Sequence, residues 1–471
     1  MNMSISWPTA LTGLRALVAA LAVAAAGWRI LLSTTLAIPS PKRPALSLLE
    51  RWYAASFKRR RVVAVIPSWT LDALSTRSLL SRKVKQFALM GCLVREGRWQ
   101  HQHPQDSFPG RENKETAGAT IPLEVITDTG GEEDGWKSVA ERLLSENMCD
   151  ESVLWRAAIC EKERFLIIMV DHVLTDGLGL AGLVKAIVDD AREESGGFPP
   201  ALEDHVDVRT DLRRLVRAVK GDSASEGLFV GPLPLDYRPN AETQDGTILG
   251  FTTVPGKTMQ RLRVVTREHE VTIHSLICSC ACVALASTRH SNESAVLHPL
   301  RFKVLVPISL RKRVPNMIDQ PFGNYVAPSS VIADVSSAHK ESALQKVWRL
   351  SKDVHRNLRK DMEGAERELG LLALISDLAE YRRKKEFEST LARTAAIEVS
   401  NLGECDTSRP WFFAQGNHYI GPLLAVNVVT NMATKDMYIT VTARSLAVSR
   451  SSLDRFAHEL KELLLQCSTE S

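Results

Sequence analysis

At 471 residues the chain is longer than one ordinary hydrophobic core supports, so two domains of about 200 residues are expected. Hydrophobic residues at 44% and charged residues at 24% are those of a globular protein, and a net charge of +4 argues against a nucleic-acid binder. The eight cysteines are scattered without a Cys-x-x-Cys pair, which argues against zinc or a disulfide framework and fits a reducing compartment.

The first forty residues are the least typical of a globular protein. Ala16 to Trp28 is uncharged and alanine-rich, and Ile30 to Ile38 continues apolar after Arg29. Together they approach bilayer-spanning length, but Arg15 and Arg29 interrupt them and alanine is only weakly hydrophobic. Residues 11–38 are open to three readings: a membrane anchor, a signal-like segment, or a buried helix of the first domain. No basic residue precedes Arg15, which argues against a signal peptide. The basic run Lys58–Arg61 follows, so a spanning anchor would leave the rest of the chain cytoplasmic. Contact of that run with anionic lipid and a plain solvated face both stay open. Residues 1–61 are therefore set apart, and the expected location is cytoplasmic, with membrane association as the alternative.

The first unit, residues 62–220, opens with a short strand at Val62–Ile66. His101 to Ala117 is polar, with Pro104, Pro109 and Gly110, and reads as a loop; His101 and His103 have no partner ligands at useful spacing, so no metal site is expected. Trp136–Leu144 reads as a helix and Ser152–Ala158 as a strand. The continuous apolar run Phe165–Val170 then reads as a buried strand that delivers His172 to its end. Asp176 and Gly177 follow, and Gly179 and Gly182 open an apolar helix running to about Ile187. A histidine at a strand's mouth, with a carboxylate one turn on and glycines that allow close approach, is a candidate general-base site. The competing reading is a surface-turn histidine beside an ordinary Asp-Gly turn. Gly196–Pro200 ends this unit, and residues 221–250, rich in Gly, Pro, Asp and Ser, read as a linker.

The second unit, residues 251–471, starts with a strand near Ile248–Val254 and a helix from Gly256 to about His269. Thr272 caps a second helix through Ala286, in which Cys278, Cys280 and Cys282 act as small buried hydrophobes. Structural roles are expected for His269 and His274. A strand at Phe302–Val306 runs into Pro307–Arg313, and a loop carries Pro321–Tyr325. Two long helices follow: one in which Leu344, Val347, Trp348, Val354 and Leu358 keep helical spacing, and one over Ala365–Lys385. Strands are expected at Ala395–Val399, Tyr419–Val428 and Met437–Ala443. An amphipathic helix closes the chain, with Leu453, Phe456, Leu460, Leu463 and Leu464 on one face. Strands alternating with helices in both halves make a mixed α/β protein.

Asp171-His-Val-Leu-Thr-Asp-Gly177, then Pro307–Pro315 with Phe322-Gly-Asn-Tyr325, then Val399-Ser-Asn-Leu-Gly403, resemble in order the acyltransferases of the chloramphenicol acetyltransferase-like, condensation-domain superfamily. The ending Ser-Asn-Leu-Gly, without the Asp-Phe-Gly-Trp-Gly motif of BAHD enzymes, looks most like the alcohol O-acetyltransferase branch, related to wax ester/diacylglycerol acyltransferases. The resemblance covers roughly Ser152 to the C-terminus.

It implies two α/β domains with an active-site channel between them, and acyl-CoA, such as acetyl-CoA, as co-substrate with no bound cofactor. His172 would be the general base that takes the proton of an acceptor hydroxyl, with no covalent acyl-enzyme. Asp176 would be a structural carboxylate paired with an arginine, for which Arg311 is the candidate, and Gly177 would supply room. Asn324, Ser400 and Asn401 would lie near the channel, where one of them could steady an oxyanion; a turn-forming or capping role is equally open for each. Lys303, Arg311, Lys312 and Arg313 either meet the phosphates of CoA or form a solvated face. The expected partners are a small hydroxyl-bearing acceptor and acyl-CoA, and a monomer suffices. Condensation-type N-acylation, and a non-catalytic membrane-associated binding protein with the same fold, are the alternatives. Asp171 stands where many relatives carry a second histidine, and residues 1–60 do not match the family's opening strand and helix.

Overall fold

The computed structural model describes residues 45–56, 60–95, 98–101, 121–129, 135–146, 154–190, 198–208, 228–229, 245–290, 300–318, 320–336, 341–373, 375, 377, 380–381, 395–416 and 421–470. The anchor expected over 11–38 and most of the loop 101–117 and of the linker 221–250 lie outside these residues.

In chain order the first part contains α1 (Leu48–Ala54), β1 (Arg61–Pro67), α2 (Ala73–Gln86), β2 (Cys92–Arg95), β3 (Arg98–His101), β4 (Leu123–Ile126), α3 (Gly135–Ser145), β5 (Trp155–Cys160), β6 (Phe165–Asp171) and α4 (Gly177–Val188). After β7 (Leu228–Phe229) come β8 (Thr247–Val254), α5 (Gly256–Glu268), α6 (Ile273–His290), β9 (Arg301–Ser309), β10 (Val326–Asp334), α7 (Ala343–Met362) and α8 (Gly370–Ala373). The last part holds β11 (Ala395–Cys405), β12 (Phe412–Gln415), β13 (Pro422–Asn431), β14 (Met437–Arg444) and α9 (Arg450–Thr469).

Two sheets carry the site. The first runs β12-β1-β6-β5-β4, and every residue of its central strand β6 is buried. That explains the uninterrupted apolar run, because a strand covered on both faces has no polar side to alternate with. The second sheet runs β10-β9-β11-β13-β14-β8, and β13 is buried along its whole length. Helices α6, α7 and α9 pack on this sheet with their apolar stripes inward, Val347, Val354 and Leu358 from α7 and Leu453, Phe456 and Leu460 from α9 among them. Cys278, Cys280 and Cys282 are fully buried in that core, and burial pushes the Cys282 thiol up to about 12, away from reactivity.

One strand crosses the expected division at residue 250. Strand β12 comes from the second unit yet pairs with β1 as the edge of the first sheet. Thr440 Oγ1 and Thr442 Oγ1 hold it from the other side by donating to Phe413 O (2.5 Å) and Gln415 O (2.8 Å). The pairing joins segments some 350 residues apart and leaves no local pattern to read. Other departures are shorter in range. Of the strand expected at Ser152–Ala158, residues 152–153 lie outside the described ones and β5 runs Trp155–Cys160; β11 continues past Val399 through the Ser-Asn-Leu-Gly motif to Cys405, with a register shift between Asn401 and Glu404. Of the helix expected over Ala365–Lys385, Ala365–Glu368 is a 3₁₀ turn and Gly370–Ala373 the short α8, while residues 374, 376, 378–379 and 382–385 lie outside the described ones. Gly364 takes a left-handed φ of 80°, and Ala365 and Leu369 turn inward to pack with Leu310 and Tyr325.

Among the described residues no single helix is long and apolar enough to cross a membrane; α5 and α6 through Thr288 reach that composition only as a pair bent by 99°. His269 stacks on Trp348 with centroids 3.8 Å apart, and His274 sits within 3.7 Å of the Cys278 sulfur, so both histidines are built into packing.

Candidate active site

His172 is the first residue past β6. Its backbone N–H donates to Arg60 O (2.8 Å), which continues the β1–β6 ladder by one step before the chain turns away. Asp171 accepts the N–H of Val173 (2.9 Å), so the residue at the place of a second histidine closes this turn. Asp176 is the N-cap of α4 and accepts from the N–H of Gly179 (2.8 Å), which places a carboxylate where a helix N-terminus is most positive.

Asp176 is at the same time the centre of a buried ion pair with Arg311. Arg311 Nε reaches its two oxygens at 2.9 and 3.1 Å, and both side chains are 1% exposed. Every other direction of the pair is occupied. Arg311 also donates to Met317 O (3.0 Å), Gln320 O (2.6 Å) and Gly323 O (2.9 Å), while Asp176 Oδ2 accepts from Tyr325 N–H (2.9 Å). The loop after β9 is thereby tied to the loop after β6. The close quarters fall on Gly179 rather than Gly177. A Cβ at Gly177 would touch only the end of the Leu402 side chain, whereas one at Gly179 would run into Thr175 Oγ1, Arg311 Nη2 and, at 2.8 Å, Pro321 O.

Asn324 settles which nitrogen of His172 is basic. Its Nδ2 donates to His172 O (2.6 Å) and Val173 O (3.0 Å), which identifies the amide nitrogen and consumes both of its hydrogens. The remaining Oδ1 lies 3.2 Å from His172 Nδ1 and can only accept, so Nδ1 carries the proton and Nε2 holds the free lone pair. Asn324 is thus an orienting residue and has no N–H left for an oxyanion, the role the motif comparison had suggested.

His172 lines a cavity of about 500 Å³ whose wall includes Leu49, Trp52 and Tyr53 of α1, Leu305 and Pro307 of β9, Pro328 of β10, and Ser400, Asn401 and Leu402 of β11. It lies between the two sheets.

No family model and no curated protein matches the chain. Solved structures do. The TRI3 trichothecene 15-O-acetyltransferase from Fusarium sporotrichioides superposes with a TM-score of 0.65 at 11% identity, over 90% of this chain and 95% of that one. The epimerization domain from the third module of tyrocidine synthetase B gives 0.57 at 12%, over 91% and 98%. The EpoB cyclization-docking bidomain from Sorangium cellulosum gives 0.57 at 12%, over 91% and 85%. The chain has the two-lobed condensation-domain fold. In that fold the cavity found here lies between the lobes, with its histidine on the first and Ser400 and Asn401 on the second.

Three residues at the histidine were not legible in the sequence. Tyr53 of α1 stacks on the imidazole with centroids 4.2 Å apart and planes 10° apart. The α1 segment thus supplies part of the wall that residues 1–60 could not be assigned to. Arg60, whose carbonyl holds the His172 N–H, sends its guanidinium into an ion pair with both oxygens of Glu398 on β11 (3.0 Å each), and Gln415 Nε2 donates to the same carboxylate (2.8 Å). Arg60 is the sole Lys or Arg among the described residues lining the cavity. Burial first, and the Arg60 charge second, depress the imidazole from 6.5 to about 4, while Glu398 and Asp176 oppose the shift.

The sign is testable. The unfolded chain takes up a proton below about 6.5 that the folded one refuses until about 4, so stability from this group is complete above 6.5 and lost as pH falls toward 4. Arg60→Met should move the His172 midpoint up toward 6.5, and Glu398→Gln should move it further down, as read from the titration of ¹³C-labelled histidine by NMR. Shifts in the same direction for both variants would refute this electrostatic account.

The basic residues beside the Pro307–Pro315 motif do not reach the cavity. Arg311 is consumed by Asp176, Arg313 pairs with Glu366 and donates to Met362 O, and neither Lys303 nor Lys312 is among the lining residues. Ser400 and Asn401 do line it; Asn401 Oδ1 accepts the N–H of Gly403 (2.9 Å), whose φ of 75° makes the turn.

Proposed function

We propose that the chain is an acyltransferase that moves the acyl group of an acyl-CoA, acetyl-CoA in the first instance, to a hydroxyl of a small or medium apolar metabolite. The observation that carries this reading is the His172 ring itself: Nδ1 is held by a neutral acceptor, Asn324 Oδ1, and Nε2 belongs to a ring that lines a largely apolar cavity between two lobes. A neutral imidazole in such a place is a base waiting for a hydroxyl proton.

The step follows from that geometry. Nε2 takes the acceptor's O–H proton as the oxygen attacks the thioester carbonyl, and the carbonyl electrons move to oxygen. Collapse of this intermediate expels the CoA thiolate, which takes the proton back from Nε2. Ester, free thiol and neutral histidine result, and no acyl-enzyme forms. The depressed basicity of His172 is offset as the reaction proceeds, because an oxyanion develops beside the new imidazolium. Ser400 and Asn401, on the opposite lobe, supply the donors for that oxyanion in this reading.

The test is thiol release from acetyl-CoA in the presence of alcohols and, separately, of amines matched in carbon skeleton. Release above background with alcohols, and slower with amines, is expected. Release only with amines would favour a condensation-type N-acyltransferase, and binding of acyl-CoA without release in either series would favour a non-catalytic protein of this fold.

A further inference from the structure

The His172 cavity is two-sided. Leu49 and Trp52 of α1, Leu305 of β9, Pro328 of β10, and Leu371 and Leu372 of α8 make a mostly apolar wall. Arg60, Glu398 and Gln415 line it as well, from just before β1, from β11 and from β12. Glu398 and Ser400 are two residues apart on β11, so they present the same face to the cavity.

The polar side is an ion pair set into the wall. The side chains of Arg60 and Glu398 are 21% and 6% exposed. Arg60 Nη2 reaches both carboxylate oxygens at 3.0 Å, Gln415 Nε2 donates to Oε1 at 2.8 Å, and the guanidinium also bonds to the Tyr53 phenol. A charge pair in such a place costs desolvation that two apolar side chains would avoid. Tuning the base does not account for keeping it, because the two charges act on the imidazole in opposite senses. Nor is it needed to join the lobes, which β12 and the Asp176–Arg311 pair already tie together.

The pair has bonding capacity left. Among the described residues Glu398 Oε2 accepts from Arg60 alone, whereas a carboxylate oxygen has room for two donors. The guanidinium has more N–H groups than Glu398 and Tyr53 take. An acceptor and a donor therefore stand side by side in the wall. Tyr53 touches both this pair and the ring of His172, so one side chain spans the gap between them.

Charge selects what fits. A carboxylate would leave an unbalanced negative charge in the cavity, and an ammonium would face Arg60. A hydroxyl adds no charge and can donate to Glu398 while it accepts from Arg60. The other carboxylates of the lining do not offer this combination: Asp176 is taken by Arg311, and Glu368 belongs to the turn packed on β10.

Resting on the acyl-transfer reading above, we infer that the acceptor is an amphipathic diol, with one hydroxyl at His172 Nε2 and the second held between Glu398 and Arg60. Its hydrocarbon body lies on the apolar wall. Anchoring the second hydroxyl keeps it from the base, so one monoester forms.

The experiment compares steady-state thiol release from acetyl-CoA with octanol, with the octanediols carrying the second hydroxyl at successive positions, and with the hydroxy acid and amino alcohol of the same chain length. The best diol should exceed octanol about tenfold or more in kcat/KM and yield a single monoester. The acid and the amino alcohol should do no better than octanol. In the double variant Arg60→Met/Glu398→Leu, which removes both charges and strands neither, the diol-to-octanol ratio should fall to about one. The ratio is decisive where the rate is not, because an altered histidine affects both alcohols alike. A wild-type ratio near one for every diol, an acid or amino alcohol preferred over the diols, or a preference kept in the double variant would overturn the inference, and the first two outcomes need no variant. If octanol and the diols are acylated equally, acyl transfer stands and the diol site falls. If calorimetry shows a diol bound about tenfold more tightly than octanol, with the difference lost in the double variant, while no thiol is released, the diol site stands and the acyltransferase reading falls. With neither transfer nor diol binding, both fall.

Discussion

Replacing His172 by alanine should lower alcohol-dependent thiol release by about a hundredfold to ten-thousandfold, the range that a positioned general base contributes. The loss should fall on kcat, because the base acts in the transition state and the donor's distant contacts are untouched. The variant should fold. The loop that carries His172 is held by main-chain groups, through His172 N–H to Arg60 O and through Asn324 Nδ2 to the carbonyls of His172 and Val173, and none of these bonds uses the imidazole. What is lost from the structure is the stack on Tyr53 and the single bond to Asn324 Oδ1. A cooperative unfolding transition at a modestly lowered melting temperature, with release reduced by those factors, is the expected pair of results. Wild-type rates in His172→Ala would sink the general-base assignment.

The largest effect on stability is expected at Arg311. Its replacement by methionine leaves the Asp176 carboxylate 1% exposed with its cation gone. Breaking a buried pair in this way costs about 3–5 kcal/mol, a large share of the stability of an ordinary domain. The cost is high here because the guanidinium also satisfies the carbonyls of Met317, Gln320 and Gly323, which methionine cannot reach with a hydrogen. Asp176→Asn should cost less. Its remaining oxygen can still accept from Gly179 or Tyr325, but its NH₂ would confront Arg311 donors. Urea unfolding midpoints of both single variants and of the double variant form the check. The double variant should be less destabilised than the sum of the singles, since the second change removes a charge already stranded by the first. Additive losses would show that the two side chains act independently.

These effects reach function through position. The pair joins the loop after β6 to the loop after β9, and Asn324, two residues before β10, is placed by the same junction. Loosening Arg311 therefore disturbs the group that sets the tautomer of His172, and activity should fall in Arg311→Met even where the chain remains folded.

Much of the first lobe's contribution could be read locally. The run Phe165–Val170 showed a buried strand, and Gly179 and Gly182 marked an apolar helix that begins two residues earlier, at Gly177, because these features depend on residues within a turn or two of one another. The apolar stripes of α7 and α9 were visible for the same reason. The resemblance of spaced motifs pointed to the Asp176–Arg311 pair, whose members are 135 residues apart. Composition and periodicity alone held no trace of it.

Tertiary structure decided the rest. Tyr53 and Arg60 come from a segment that matched no expected element, and Glu398 meets Arg60 across 338 residues. Asn324 changed from a candidate oxyanion donor to an orienting acceptor once its two hydrogens were seen to be taken. Four basic residues near one motif proved to be paired or absent from the cavity's lining. The sequence by itself located the buried strand β6 with the histidine at its end, the helix after it and the apolar stripes of α7 and α9, since burial of a few neighbouring side chains sets their periodicity. Which charges meet, and which remain free, depended on contacts between segments whose spacing along the chain carries no period.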